Sequence, residues 1–268
     1  MNQPAPATPG LQRLELIMGM PIQVDVRDVG VGEMVVERVF DWLRHVDATF
    51  STYHAESEIS RLNRGLLSRD GATADVRAVL DRCEELTWET DGYFDIRGSH
   101  LPVPVETAAG ELVTSGIDPS GFVKGWAIDR AAAILDDAGA RNYFINAGGD
   151  VRTRGGAVPE GEWRVGIRHP REHDMLAAVV PARDLAVATS GAYERGEHIV
   201  DPHTGLPPRG VLSVTVTGSE LATADAYATA IFAMGEAGPA WTTRLYGYEA
   251  MVILEDDRVL STRWFPKE

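Results

Sequence analysis

The stretch from Thr223 to Gly235, Thr-Ala-Asp-Ala-Tyr-Ala-Thr-Ala-Ile-Phe-Ala-Met-Gly, sets the tightest limit on the fold. Alanine is the strongest helix former, Thr223 can serve as N-cap, and Gly235 stands where a left-handed C-cap falls. A helix this apolar reads as buried, so the rest of the chain has to enclose it. Asp225 and Thr229 are four residues apart and lie on one side of that helix, near the positive end of its dipole. Two oxygen donors so placed suit a hard cation such as Mg²⁺, which takes one or two protein carboxylates and leaves its other positions to water and phosphate. The plainer alternative has Asp225 decorating the first turn and Thr229 bonding back to a helix carbonyl.

Enclosing a helix takes a sizeable core, which 268 residues of 44% hydrophobic composition can supply. The formal charge of −15 argues against non-specific nucleic-acid binding, which needs a basic face. An anionic ligand would have to be met by a metal or by local donors. The single cysteine, Cys83, sits in a helical pattern beside Leu80 and Leu86, cannot form an internal disulfide, and reads as a small buried hydrophobe. No run reaches the roughly 18 apolar residues of a transmembrane segment. The opening Met-Asn-Gln-Pro-Ala-Pro-Ala-Thr-Pro-Gly has no basic or apolar export signal, so a cytoplasmic location is expected, or an extracytoplasmic one if such a signal is missing from the sequence.

Residues 1–12 read as a flexible arm and residues 13–268 as one compact domain, with room for a lobed shape. Leu14 to Val26 predicts a strand pair broken at Gly19-Met20-Pro21. Apolar spacing predicts helices over Glu33 to Val46, Asp75 to Glu89 and Phe122 to Ala138, and Ser57 to Asn63 predicts a capped single turn. Residues 97–114 read as an irregular connection. Strands are expected at Asn142 to Asn146, Trp163 to Ile167, Leu176 to Val180, Leu185 to Ala188, Ile199-Val200, Val211 to Val216, Ala250 to Leu254 and Arg258 to Trp264. Helices and strands mix without regular alternation, which favours α+β over doubly wound α/β.

Three further segments bear on chemistry. Asp118 to Asp129 opens a helix with Gly121, Gly125 and Lys124, a pattern that attracts phosphate or simply caps a core helix. Asn146-Ala147-Gly148-Gly149-Asp150 follows a strand without the spacing of a dinucleotide fingerprint, so a tight turn is the better reading. Residues 188–205 are dense in polar groups: His198 opens a short apolar step and is a candidate general base, and Asp201 to Gly205 has turn character. Thr189-Ser190-Gly191 is no nucleophile elbow, which excludes a serine hydrolase of that kind.

Together, Met18-Gly19, Phe50-Ser51-Thr52-Tyr53 with Ser57 to Asn63, Gly92-Tyr93-Phe94-Asp95, Lys124 to Asp129, Asn146 to Asp150, Thr189-Ser190-Gly191, His198 to Pro202 with Thr204-Gly205, and Ala224-Asp225 with Thr229 occur in one order. That order resembles the ApbE-type flavin transferases, the FAD:protein FMN transferases, over nearly the whole chain. The resemblance implies an α+β domain with a mixed, mainly antiparallel sheet and packed helices. It implies FAD as substrate and transfer of FMN to a Thr or Ser hydroxyl of an acceptor protein, with release of AMP. It also implies Mg²⁺, or Mn²⁺, held by Asp225, Thr229 and the backbone oxygen of Ala127. FAD contacts are implied at Met18, Tyr53, Tyr93, Phe94, Asp95, Lys124, Asp129 and Arg130, and His198 as the base. Two other activities fit the same residues: hydrolysis of FAD to FMN and AMP, and FAD binding or storage without turnover.

Overall fold

A computed structural model describes residues 10–97, 99–172, 174–191 and 199–268. Alternating burial joins β1 (Leu11–Ile17) to β2 (Met20–Val26) as a hairpin in which Ile17 pairs with Met20. The two-residue loop is Met18-Gly19, both at positive φ, which suits the twist of the flanking strands. The break therefore falls earlier than expected, and Met20 and Pro21 belong to β2.

The hairpin is one end of an eight-stranded sheet in the order β1-β2-β5-β6-β9-β10-β11-β12. Its later members are β5 (Tyr143–Ala147), β6 (Asp150–Arg154), β9 (Ala186–Gly191), β10 (Val211–Gly218), β11 (Glu249–Leu254) and β12 (Val259–Ser261). Each described neighbour pairs antiparallel. On one face lie α1 (Glu33–Phe50), α2 (Glu58–Asn63), α3 (Ala74–Glu89), α4 (Ser120–Asp137) and α5 (Leu221–Ala233). The apolar stripe of α1, Val36, Val39, Phe40, Leu43 and Val46, meets Ile22 and Val24 of β2 and Ile145 of β5 in one core. Each such side chain stabilises by roughly 1.5–3 kcal/mol when fully buried, so this stripe orients the helix. The opposite face is covered by the hairpin β7 (Trp163–Arg168) and β8 (Leu176–Ala182), whose Trp163, Ile167 and Val180 pack on Val187, Met251 and Ile253.

α5 passes between α4 and strands β9 and β10, with 11 of its 13 residues buried. Alanines permit this because their side chains cost no rotamer entropy and let neighbouring backbones approach. At the crossing, a Cβ on Gly125 of α4 would stand 2.6 Å from the backbone of Leu221 and Ala222. Gly125 thus serves helix contact rather than close approach by a ligand.

The structure departs from the sequence reading in a few places. Residues 97–114 contain paired strands, β3 (Ser99–Glu106) and β4 (Leu112–Gly116), in an isolated two-stranded ribbon with a register break. Prolines at 102 and 104 concealed it, because a ribbon with free edges tolerates residues that cannot donate. Ile199-Val200 is not a strand, whereas β6 was not anticipated. Gly235, at φ 55°, closes α5 as expected. Ser57 caps α2 by accepting from the Ser60 N–H at 3.0 Å, also as expected. Cys83 is buried and its thiol is pushed up to about 12 by burial, in keeping with a hydrophobic role.

Candidate active site

The N-terminus of α5 is built by another helix. α5 begins at Leu221 after Glu220, and Thr223 is not its N-cap: the Thr223 hydroxyl donates to Glu220 at 3.2 Å. Asp129 of α4 accepts the Leu221 and Ala222 N–H groups at 3.1 and 2.9 Å. Burial raises the pKa of Asp129, while those two hydrogen bonds and Arg152, 3.5 Å away, pull it the other way. Asp129, expected to touch FAD, is engaged in joining α4 to α5. Asp225 accordingly falls in the second turn of α5, beyond the reach of the helix dipole.

What meets Asp225 instead is a lysine. Lys124 Nζ lies 2.5 Å from Asp150 Oδ2 and 3.6 Å from Asp225 Oδ2, and both carboxylate side chains are all but buried. Asp150 also accepts the Thr189 N–H at 3.0 Å, so β6, β9 and α4 meet at it, and α5 joins through the Lys124 contact with Asp225. One turn beyond Asp225, the Thr229 hydroxyl is 3.3 Å from that of Ser190 on β9. It is directed to the sheet and makes no described bond back to its own helix. Thr229 also borders Gly121 at the start of α4, where an added Cβ would lie 3.8 Å from its hydroxyl.

The Gly92 to Asp95 loop abuts this group through Phe94. The Phe94 side chain is buried against Gly121, and its N–H donates to the Thr90 hydroxyl at 3.0 Å. Tyr93 and Asp95 remain partly exposed, and Asp95 receives Arg97 in a forked pair at 2.9 and 3.0 Å. The turn at Asp201 to Gly205 is present, with the Gly205 N–H donating to the Asp201 carbonyl at 2.8 Å. From it His203 packs edge-on to Tyr93 at 4.6 Å and contacts the Asp91 carbonyl at 3.1 Å through Nε2.

The β1–β2 and β5–β6 turns share one end of the sheet, as Ile22 pairs with Ala147 and the Gly148 N–H donates to the Pro21 carbonyl at 3.1 Å. Asp150 starts β6 at that end, just past the tight turn at Gly148-Gly149. Met18 stands in the other turn at φ 53°, a conformation costly for a non-glycine side chain and therefore notable beside a site.

Of the other expected residues, two are exposed. Tyr53 is 73% exposed, and the exposed Arg130 rests over Trp126 at 5.9 Å. The Ala127 carbonyl accepts from Trp42 Nε1 at 3.0 Å as well as lying within the α4 ladder. The bond from Trp42 fastens α1 to α4. His198 lies outside the described residues. Asp150 and Ser190 are members of the centre that sequence reasoning passed over. The available signal for Asp150 was a carboxylate entering a strand directly after a glycine pair.

Oxygen donors dominate the group: two buried carboxylates and two hydroxyls, with one lysine ammonium between the carboxylates. That donor set suits Mg²⁺ or Mn²⁺ better than a soft metal. No cluster of three His, Cys, Asp or Glu occurs among the described residues. A hard-cation site needs none, since substrate phosphate and water complete its shell.

The described helices include none long and apolar enough to cross a membrane. The family model for the ApbE family matches residues 18–252. The chain is 28% identical over 238 residues to an FAD:protein FMN transferase of Vibrio cholerae, covering 72% of this chain and 71% of that protein. It is 39% identical over 151 residues to one from Rhodobacter capsulatus, covering 53% of this chain and 28% of that protein. The solved flavin transferase ApbE of Vibrio cholerae superposes with a TM-score of 0.80 at 25% identity, over 95% of this chain and 97% of that one. With a family match across most of its length and the same fold as a solved member, the chain belongs to the ApbE family.

Proposed function

We propose that this protein transfers FMN from FAD to a Thr or Ser hydroxyl of an acceptor protein and releases AMP, with Mg²⁺ or Mn²⁺ required. The observation that carries the reading is the buried Asp150–Lys124–Asp225 group beside Thr229, in a chain whose relatives are named for this transfer. Asp225 and Thr229 would hold the ion, which when bound supplies charge neutralisation at the diphosphate. Lys124 adds a positive charge on the same side. The Tyr93 to Asp95 loop and the Met18 turn would border the flavin nucleotide, and Tyr93 offers an aromatic face. In the reaction the acceptor oxygen bonds to the FMN-side phosphorus, that phosphorus loses its bridging oxygen, and AMP departs with it. The hydroxyl proton goes to His198 as base.

The test is incubation of the protein with FAD and MgCl₂, with and without an acceptor carrying a threonine in a flexible segment. AMP released only with the acceptor, together with acceptor-bound flavin, is the expected result. AMP released equally without acceptor would assign the protein as a hydrolase, and FAD bound without AMP would assign it as a storage protein.

A further inference from the structure

Lys124 is one of two lysines in a chain with 25 basic residues, and the other, Lys267, is next to the C-terminus. Its ammonium is placed unequally between two buried carboxylates, 2.5 Å from Asp150 and 3.6 Å from Asp225. Carboxylates with side-chain exposures of 2% and 4% need a compensating charge inside the protein. A compact ammonium on a flexible stem can change partners in a small space, which the planar fork of an arginine cannot do.

We propose that Lys124 is the built-in counter-cation of the Asp225 site: without the divalent ion its ammonium compensates both carboxylates, and when the ion binds it withdraws from Asp225 onto Asp150. Asp150 is then a positioning residue that holds Lys124 in both states. The inference rests on the metal reading given under Proposed function. Its physical basis is charge balance. Two carboxylates and one ammonium carry one net negative charge, and adding a divalent cation with the two singly charged phosphates of a dinucleotide leaves that value unchanged. The pocket therefore never has to bury a large excess of either sign. The longer Asp225 contact is the one to exchange, and Asp150, tied to the Thr189 N–H at 3.0 Å, is the fixed post.

The experiment titrates MgCl₂ alone into the full chain, with the Lys ¹³Cε signals followed by NMR and binding followed by calorimetry. With two lysines there are two signals to assign. The expected result is a saturable shift of the Lys124 signal with Lys267 unmoved, absent in Asp225→Asn. Lys124→Met, which removes the competing cation, should bind Mg²⁺ about tenfold more tightly. Asp150→Asn, which removes the ammonium's nearer carboxylate, should bind it about tenfold more weakly. Binding lost in Asp225→Asn while the wild-type Lys124 signal stays still would overturn this inference and leave the metal assignment intact. Binding unaffected by Asp225→Asn would overturn the metal assignment itself. The wild-type titration decides the matter even where a variant does not fold, and no Mg²⁺ binding by the wild-type chain would also sink the inference.

Discussion

Asp225 is buried one turn before Thr229 and faces Lys124, so its carboxylate is costly to keep there unless it has work to do. Asp225→Ala is expected to reduce Mg²⁺-dependent AMP release by about 10³-fold or more, the scale at which losing charge stabilisation acts in transfer reactions. Folding should survive because Lys124 keeps Asp150. An AMP assay across MgCl₂ concentrations checks this, and activity near wild type would rule out Asp225 as a ligand. Asp129 is polar, half-buried and of a different kind. Asp129→Asn leaves one acceptor oxygen for the two α5 N–H groups, so it should cost about 0.5–1.5 kcal/mol in urea unfolding at acid pH. Burial raises its folded pKa above the ordinary 3.8, so its contribution to stability is fully present below that value and lost as pH rises through the folded one. Wild type should thus gain on Asp129→Asn as the pH falls through that window; a gap that widens toward neutral pH would contradict the assignment. Asp129 could be seen as noteworthy in the sequence, but its target could not, since the N–H groups it caps are 92 and 93 residues away.

At the scale of elements, the α4–α5 crossing decides where Lys124 stands relative to Asp225. In Gly125→Ala the new methyl would meet backbone at 2.6 Å, so the helices must separate. We expect a loss of about 1–3 kcal/mol in thermal unfolding, and weaker Mg²⁺ binding in the protein that still folds. Unchanged stability would mean the crossing is looser than described. The turn at 201–205 and the loop at 91–95 meet through His203, which touches Tyr93 and the Asp91 carbonyl. His203→Ala should raise the KM for FAD several-fold with little change in Tm, because it loosens a loop and leaves the core untouched. An unaltered KM would show that this contact does not position Tyr93. Of these elements, α5 was legible because an alanine run forms and buries a helix under almost any surroundings. The β3–β4 ribbon was not, because prolines mask the alternation by which strands are recognised.

For the whole molecule, the formal charge of −15 opposes an anionic dinucleotide at long range, whatever a divalent ion at the site would contribute. Raising ionic strength from about 0.01 to 0.15 M shortens the screening length from about 30 to 8 Å. FAD association, followed by stopped-flow flavin fluorescence, should therefore quicken, and slowing with salt would point to a basic entrance instead. From the sequence alone came the buried α5 helix, the α+β character, the acidic surface and the ordered motifs of the family. These depend on local propensity, composition and short spacings, which act before any distant contact forms. The tertiary structure alone decided that Asp150 joins Lys124 and Asp225, that Asp129 caps α5, and that the Ala127 carbonyl belongs to Trp42. Each of those pairings brings together residues from different elements, and only packing of the helices on the sheet determines which polar atoms end up facing one another.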